Sequence, residues 1–403
     1  MLDLLKIKGF LPIIIVNGTL FGGFQIRNLA IAWLVLDITD SPLMVGLVNS
    51  SVAFAVLFLS PLGGAIADLR DRKKTALESR MLVAIVASVT SLIVILDIYE
   101  VWHFVILGIL LGGFLAYGNA AFQALIFDLV GVNNFTRANS INTLITSISN
   151  TTAPLLAGLI IVSFSIRGVF LLFAIIYLIG WFLMYFVPSI ETHNHQKENS
   201  SQRRFMTPLN EMLEGLKYSF LTPGVRWLII FSMAVIFWGA LQPVIPAYTR
   251  DVLGMGGEGY AYMLGVGGIG SLIVAVLLSI VGEIPKKSLV LTIAVIVYCI
   301  GVFIFATTTS IYIAYLGMFI SGCTTALWMV IIFTLVQTSV DEKMRGRVVG
   351  VSQASLQLLG LGYLIGGIIA EFLGLTLALV IPAICWASLH IYGYLSSKEF
   401  RSY

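Results

Sequence analysis

Charged side chains are scarce in this sequence: Asp, Glu, Lys and Arg make up 11% of its 403 residues. Histidine occurs four times and cysteine three times. These few residues do not group into a pattern that is typical of a catalytic or metal site. The glycine-rich phosphate-binding loop of an ATP-driven pump is also missing from the sequence. We therefore expect neither an enzyme nor an ATPase, and neither a cofactor nor a metal.

The three cysteines exclude a disulfide framework. Cys299, Cys323 and Cys385 all fall inside apolar stretches and have no metal-ligand spacing. Cysteine in such surroundings behaves as a small apolar packing residue.

Long apolar runs dominate the chain instead. Hydrophobic residues make up 59% of the sequence, and the mean hydropathy is +0.99. A bilayer-spanning helix needs about 20 apolar residues. The sequence therefore predicts an all-α integral membrane protein with twelve transmembrane helices. The predicted spans are 9–37, 43–66, 77–97, 101–126, 138–163, 167–187, 225–249, 258–281, 288–307, 311–338, 347–371 and 374–396.

The basic residues between these spans predict the orientation. If the N-terminus is cytoplasmic, Arg27 lies within a span and Arg167 and Arg250 fall on the outer face. The other Lys and Arg residues fall at the inner face. The positive-inside rule then places both termini in the cytoplasm. These inner-face Lys and Arg residues form a basic collar that faces anionic lipid headgroups. The collar accounts for the net charge of +3, so this charge does not indicate nucleic acid binding.

Two parts of the chain echo one another. Arg137 in one half corresponds to Arg345 in the other, and Gly158 corresponds to Gly366. A six-helix unit repeated in parallel predicts two bundles related by a pseudo-two-fold axis along the membrane normal.

A polar stretch after the sixth span marks the boundary between these halves. The sequence predicts an N-terminal six-helix bundle over 1–189 and a C-terminal six-helix bundle over 225–403. Between them, 190–224 is predicted to be a cytoplasmic linker. Its later part has helical apolar spacing that is typical of a helix on the membrane surface.

The loop after the second span contains a distinctive motif. Gly64 is followed four residues later by Asp68, and then by a basic cluster that includes Arg70, Arg72 and Lys73. One interpretation is that Asp68 lies beside the N-terminus of the eleventh span, near Arg345 and Arg347. The alternative is an ordinary positive-inside loop in which Asp68 only neutralises local charge.

This motif resembles the signature of the major facilitator superfamily, within its bacterial drug and siderophore (enterobactin-type) exporter branch. Asp71 stands where many members have glycine. The sequence from Leu29, in the first span, to Val48 is similar to the sequences of that branch. The same is true of Arg137-Ala-Asn139 and Arg345-Gly-Arg347. The resemblance covers the whole chain. It implies the major facilitator fold and transport by alternating access.

The resemblance gives the basic loop a role as a cytoplasmic gate. Asp68 is expected beside Arg345 and Arg347 at the start of the eleventh span, where the helix dipole and a guanidinium would stabilise a carboxylate. Such a contact would bias the state in which the cytoplasmic side is closed.

The fifth span contains Pro154 and Gly158 in a sequence that resembles the Gly-Pro element of exporters in this superfamily. Small residues allow close helix approach and proline bends a span. The element favours export, although simple helix packing requires the same residues.

Polar residues within the spans are few, and they are the candidates for lining a substrate cavity. Arg27 is the one charge near the predicted midplane, and a buried cation is costly enough to need partners or a cavity. A lining of amides and aromatics suits amphipathic compounds; for each aromatic, packing against lipid or protein is the equal alternative. The candidates are Asn17, Gln25, Arg27, Asn28, Asn119, Gln123, Trp238, Gln242 and Trp328.

Proton coupling is implied by the resemblance, because the residues themselves give little support for it. No Asp or Glu lies at the midplane of a span, and the fourth span contains no Arg or Lys. The candidate proton carriers are Asp37 and Asp128, whose pKa burial could raise. Glu371 is better interpreted as a solvated interfacial carboxylate.

Together these features predict a secondary transporter that exports amphipathic or hydrophobic small molecules of the drug or siderophore class, driven by protons. The alternative is a lipid or lysolipid translocator of the same fold. The expected partners are a small-molecule substrate, membrane lipid and the proton gradient. We expect a monomer in the bacterial inner membrane, because one chain already holds both halves.

Overall fold

The structure, a computed structural model, describes residues 7–189, 212–281 and 284–403. All the regular elements within these residues are helical. The first part of the chain contains α1 (Phe10–Thr39), α2 (Pro42–Leu69), α3 (Arg72–Ile95), α4 (Val101–Val130) and α5 (Val132–Met184). The second part contains α6 (212–221), α7 (Pro223–Met233), α8 (Val235–Leu241), α9 (Val244–Asp251), α10 (Gly257–Val281), α11 (Lys287–Thr307), α12 (Ile311–Thr338), α13 (Glu342–Ser355), a 3₁₀ turn (Leu356–Leu358), α14 (Leu359–Leu373), α15 (Leu375–Ser396) and α16 (Lys398–Arg401).

Twelve membrane crossings fit this helix order. Eleven stretches of the described residues are long and apolar enough to span a membrane, and one of them, Leu144–Met184, has 41 residues. That length is about 60 Å of helix, twice the thickness of the hydrocarbon core. The stretch is also interrupted at Ser165, whose φ of 60° and ψ of −178° are not helical. It therefore provides two crossings, and the predicted twelve-helix all-α membrane fold is confirmed.

Glycines and a capping aspartate set several helix ends. Gly131 has φ of 71° between α4 and α5, and Gly374 has φ of 87° between α14 and α15. Side chains other than glycine rarely adopt this left-handed region. At the start of α3, the Asp71 carboxylate accepts a hydrogen bond of 2.6 Å from the backbone N–H of Lys74. Asp71 is thus a helix cap, which is a reason for aspartate at this position of the motif.

Two compact units divide the described residues. Unit 1 contains the residues up to Ile31 and those from Ser51 to 189; unit 2 contains Ala32–Ser50 and the residues from 212 to Tyr403. The end of α1 and the start of α2 therefore group with the helices of the second part of the chain. Of the linker over 190–224, residues 190–211 lie outside the described residues.

The core of unit 1 is aliphatic and aromatic. Side chains from α1, α3, α4 and α5 pack together there, and most are completely buried. Its members include Phe10, Ile13, Ala76, Phe122, Leu125 and Met184.

The core of unit 2 is rich in aromatic rings. His390 is fully buried and stacks on Phe231 at 4.0 Å between ring centroids. Phe400 of α16 lies edge-on to Phe231 at 5.1 Å, and Trp386 lies 5.8 Å from Trp328. These contacts join α7, α12, α15 and α16.

Ser165 offers a direct test of the break that separates the fifth and sixth crossings. Its backbone angles belong to a region that only glycine occupies readily, at a cost of ~1–3 kcal/mol for other residues. We expect Ser165→Gly to raise the melting temperature on the order of 2–4 °C, part of the gain being offset by the greater freedom of glycine in the unfolded chain. Ser165→Val should lower it. Thermal unfolding of the two purified variants measures both, and a lower melting temperature for the glycine variant would contradict the geometry.

Candidate functional site

The polar residues of α1 divide into a buried and a partly exposed set. Asn17 is buried, and its side-chain N–H donates to the Asn142 oxygen at 2.6 Å, with Thr146 Oγ1 at 3.5 Å. These contacts join α1 to α5 inside unit 1. Gln25 and Asn28 are partly exposed.

Arg27 points into the interior of unit 1. Its side chain is 3% exposed, and one guanidinium nitrogen donates to the Asn28 oxygen at 3.2 Å. Thr90, Phe104 and Phe173 line the same narrow cleft as Arg27. These residues belong to α3, α4 and α5, so the structure surrounds Arg27 by the helices of its own unit. Its role in substrate binding stays a prediction.

Arg80 is a second buried guanidinium, and sequence reasoning missed it. The charge pattern of the sequence predicts that Arg80, near the start of the third span, lies with the basic residues of the inner face. The structure buries it to 3% exposure and places its guanidinium carbon 4.5 Å from the centroid of the Phe122 ring. The signal that could have found it is helical spacing: Ala76, Val83 and Ala84, which lie three or four residues away, share its buried face.

The remaining candidates for the cavity lining have different surroundings. Asn119 and Gln123 lie one turn apart on α4, and both are exposed. Trp238 on α8 and Gln242 just after it are partly buried. Trp328 is 4% exposed, because it packs against aromatic rings inside unit 2. The first four have accessible surface in this structure, whereas Trp328 is a core residue.

Arg72 of the basic loop forms an ion pair with Asp128. Its guanidinium donates to both oxygens of Asp128, at 2.7 and 2.6 Å. The Asp128 side chain is 14% exposed and that of Arg72 is 31% exposed. The pair ties the start of α3 to the end of α4, and it places one candidate proton carrier in two charge-assisted hydrogen bonds.

A second group of polar contacts holds Arg70. Tyr117 donates to a Glu78 oxygen at 2.7 Å, while Arg70 lies 3.1 Å from the Tyr117 hydroxyl and 3.4 Å from Glu78. Gly64 has open space beside it, and Lys73 is partly buried. The Asp68 side chain lies outside the described part, so its predicted contact stays a prediction.

Arg345 and Arg347 lie near the start of α13 in the second part of the chain. Arg347 pairs with Glu214 of α6 at 2.8 Å, and Arg345 is exposed. Tyr218 of α6 donates to Asp341 at 2.9 Å. Partial burial, together with this hydrogen bond, raises the pKa of Tyr218 above its ordinary value. These contacts hold α6 against the start of α13.

Pro154 and Gly158 of the exporter-like element are both buried within α5. Pro154 lies inside the helix, where it removes a backbone donor. Their surroundings are compatible with helix packing and with a functional bend.

The other carboxylates lie in polar surroundings. Asp37 on α1 is exposed. Glu371 on α14 accepts a hydrogen bond of 2.9 Å from Ser41 Oγ. Among the described residues, three or more His, Cys, Asp or Glu side chains come together nowhere in a group that could hold a metal ion.

Within unit 2, Arg250 holds the connection between α1 and α2. Its guanidinium lies 2.9 Å from an Asp40 oxygen and 2.7 Å from Asp251, and it donates to the backbone oxygen of Leu36 at 3.2 Å. A guanidinium on the last carbonyls of a helix stabilises that helix end. Arg250 thus fastens Ala32–Ser50 to the end of α9.

Glycine contacts bring α2 and α14 backbone to backbone in the same unit. A Cβ atom at Gly367 would lie 2.7 Å from Leu43 Cα and 2.9 Å from the Pro42 oxygen, and one at Gly46 would overlap the Tyr363 oxygen. Only glycine allows this approach.

We expect Arg250→Gln to weaken the attachment of the α1–α2 connection to the end of α9. Glutamine removes the ion pairs with Asp40 and Asp251, which are partly solvent-exposed and are worth ~1 kcal/mol in total. The melting temperature should fall on the order of 2 °C, and most of that loss should disappear at 1 M salt, where surface pairs are screened. Arg167→Gln, which breaks an exposed pair with Asp97 in unit 1, is the matched control. Equal losses at low and high salt would contradict an electrostatic role for Arg250.

Comparison with known proteins places these features in a family. The sequence model described as Major Facilitator Superfamily matches residues 13–363. The uncharacterized MFS-type transporter YfiS of Bacillus subtilis (strain 168) is 26% identical over 353 residues, which cover 85% of this chain and 81% of that protein. Among solved structures, the nucleoside transporter NupG superposes with a TM-score of 0.72 at 16% identity, over 96% of this chain and 99% of that one. A D-xylose-proton symporter also gives a TM-score of 0.72 at 16% identity, over 98% and 99%.

Proposed function

The chain belongs to the major facilitator superfamily, and we propose that it is a secondary transporter that exports amphipathic or hydrophobic small molecules in exchange for protons. Residues 1–189 and 225–403 are proposed as its two six-helix halves, joined by 190–224. Alternating access of such halves moves a substrate without enzymatic chemistry. The drug and siderophore class of substrate comes from the motif resemblance.

The accessible polar residues of the spans are the observation that carries this proposal. Asn119 and Gln123 are the exposed amides of α4, and Trp238 and Gln242 are partly accessible in unit 2. Amides and an indole ring within apolar helices offer a few directional hydrogen bonds and a large apolar surface. In each unit taken by itself, such side chains favour an amphipathic ligand over a polyhydroxylated one, which would require many more polar partners.

The proposed orientation places both termini in the cytoplasm of a bacterial cell, with a monomer in the inner membrane. The basic loop with Arg70, Arg72 and Lys73 then faces the cytoplasm, in agreement with the positive-inside rule. We propose this loop as the gate motif. The connection that Arg250 fastens then faces the outside.

Asp37 and Asp128 remain the proposed proton carriers. Asp37 is exposed, so protons reach it directly. Asp128 must first leave its pair with Arg72, which makes it a carrier only if the pair opens during transport. Opening of the pair would then link proton binding to the conformational change.

Uptake of ethidium into inverted vesicles that contain the purified protein tests the proposal. With an imposed pH gradient, acid inside, we expect accumulation, and we expect it to collapse when the gradient is removed. Protein-free vesicles are the control. Uptake that is indifferent to the gradient would contradict proton coupling. No uptake would contradict export of amphipathic cations, and labelled lysolipid under the same conditions would then test the lipid translocator.

A further inference from the structure

Several buried side-chain donors of unit 1 have no hydrogen-bond partner among the described residues. Among the described residues, its buried side-chain atoms without a hydrogen-bond partner are the three guanidinium nitrogens of Arg80, the indole nitrogen of Trp181, and the hydroxyls of Thr75 and Ser91. Guanidinium and indole nitrogens are donors only, and hydroxyls can donate. The missing group is therefore an acceptor.

The charge of Arg80 has no described counter-ion. A guanidinium stays protonated in proteins, and a cation inside a membrane span is retained only with compensation. The nearby carboxylates are engaged elsewhere: Asp128 pairs with Arg72, and Glu78 is held by Tyr117. The Phe122 ring supplies a cation–π contact, and the guanidinium nitrogens of Arg80 have no acceptor among the described residues.

A second cation in the same core adds to the positive potential. Arg27 is buried in the same unit, and the hydroxyl of the buried Tyr177 donates to the Leu20 oxygen at a long 3.3 Å. Trp181 lies one helical turn beyond Tyr177, on the helix that packs against α3. Unit 1 thus contains buried donors without a described partner on both α3 and α5.

We propose that unit 1 binds one small monovalent inorganic anion, chloride in the cell, at the guanidinium of Arg80. The side chain is 3% exposed, so its surroundings favour a small enclosed ion over an organic carboxylate of substrate size. A single dehydrated ion accepts several N–H donors at once, because a sphere imposes no direction on them. The bound anion offsets the charge of Arg80 and stabilises the fold of unit 1. This site is separate from the proposed substrate site.

Binding of ³⁶Cl⁻ to the purified full-length protein tests the proposal, with gluconate replacing chloride at constant ionic strength. We expect one saturable site per chain and, at saturation, a rise in melting temperature on the order of 2–4 °C relative to gluconate. Arg80→Gln should weaken chloride binding at least about 100-fold and make the melting temperature independent of chloride. Arg167→Gln, which removes an exposed guanidinium from the same unit, should leave both unchanged.

Several results would overturn the site. One is a wild-type protein without saturable chloride binding, and another is an Arg80→Gln variant that binds as tightly as the wild type. If Arg80→Gln does not fold, chloride binding to Arg80→Lys is measured instead. Lysine keeps the positive charge, but its ammonium group replaces the planar set of N–H donors of the guanidinium. The proposal then requires chloride affinity about tenfold weaker than that of the wild type, and unchanged affinity contradicts it.

Discussion

Leucine in place of Gly367 is expected to lower the transport rate by about 100-fold. Any side chain at this position meets Leu43 Cα and the Pro42 oxygen, which are backbone atoms that cannot rotate away. Overpacking of this kind costs ~1–3 kcal/mol, and a loss of about 3 kcal/mol corresponds to roughly 100-fold in rate. The expected consequence is that the start of α2 cannot seat against α14, so any step of the cycle that uses this contact is disfavoured.

Labelling of a cysteine at position 45 reports whether the start of α2 packs against α14. This measurement does not require knowledge of the substrate. Val45 is fully buried, so a Val45→Cys variant in a background without the three native cysteines should react slowly with a membrane-impermeant maleimide. Gly367→Leu should speed that reaction about 100-fold. Gly350→Leu is the matched control, because no neighbouring atom lies within 4 Å of a Cβ there. Slow labelling together with normal transport in Gly367→Leu would contradict the close contact.

The crossings themselves could be predicted from the sequence, because bilayer thickness constrains each apolar run. The predicted span 311–338 has the same bounds as α12, and the gap between 163 and 167 contains the break at Ser165. Breaks inside a crossing were not predicted. The seventh crossing is interrupted at Ala234 and again at Gln242, since hydropathy reports burial in lipid and not the course of the backbone.

Partners of the polar residues could not be predicted in the same way. Arg72 and Asp128 are 56 positions apart, and only the packing of α3 on α4 brings them together. Both residues were identified as candidates from the sequence, yet for different roles. The side on which a residue lies was also hidden: Trp328 packs into the aromatic core of unit 2, and nothing in its local sequence separates it from the partly accessible Trp238.

Arg80 shows where the sequence did hold information that was not used. A charge a few residues inside a span is compatible with the interface or with the interior, and depth along the helix alone does not separate the two. The buried residues at Ala76, Val83 and Ala87 define one face of α3, and Arg80 lies on it. Periodicity of the face, combined with depth, would have identified a buried cation.

Neutralising Asp128 is the other change from which we expect a large effect. Asp128→Asn leaves the Arg72 guanidinium without its carboxylate at a site where both side chains are largely buried. Removing one partner of such a pair destabilises by ~1–3 kcal/mol after allowance for the exposure of Arg72. We expect a lower melting temperature and a transport rate reduced by about 10- to 100-fold.

A charge exchange separates the structural role of this pair from proton transfer. Arg72→Asp combined with Asp128→Arg restores the ion pair with its polarity reversed, so stability should return to within about 1 kcal/mol of the parent. If Asp128 only holds α3 to α4, gradient-driven ethidium uptake should return as well. If Asp128 carries the proton, the double variant should recover its melting temperature but not its uptake, because the titrating carboxylate has moved to another helix. Recovery of neither would show that the 2.6 Å pair is not what holds the two helices together.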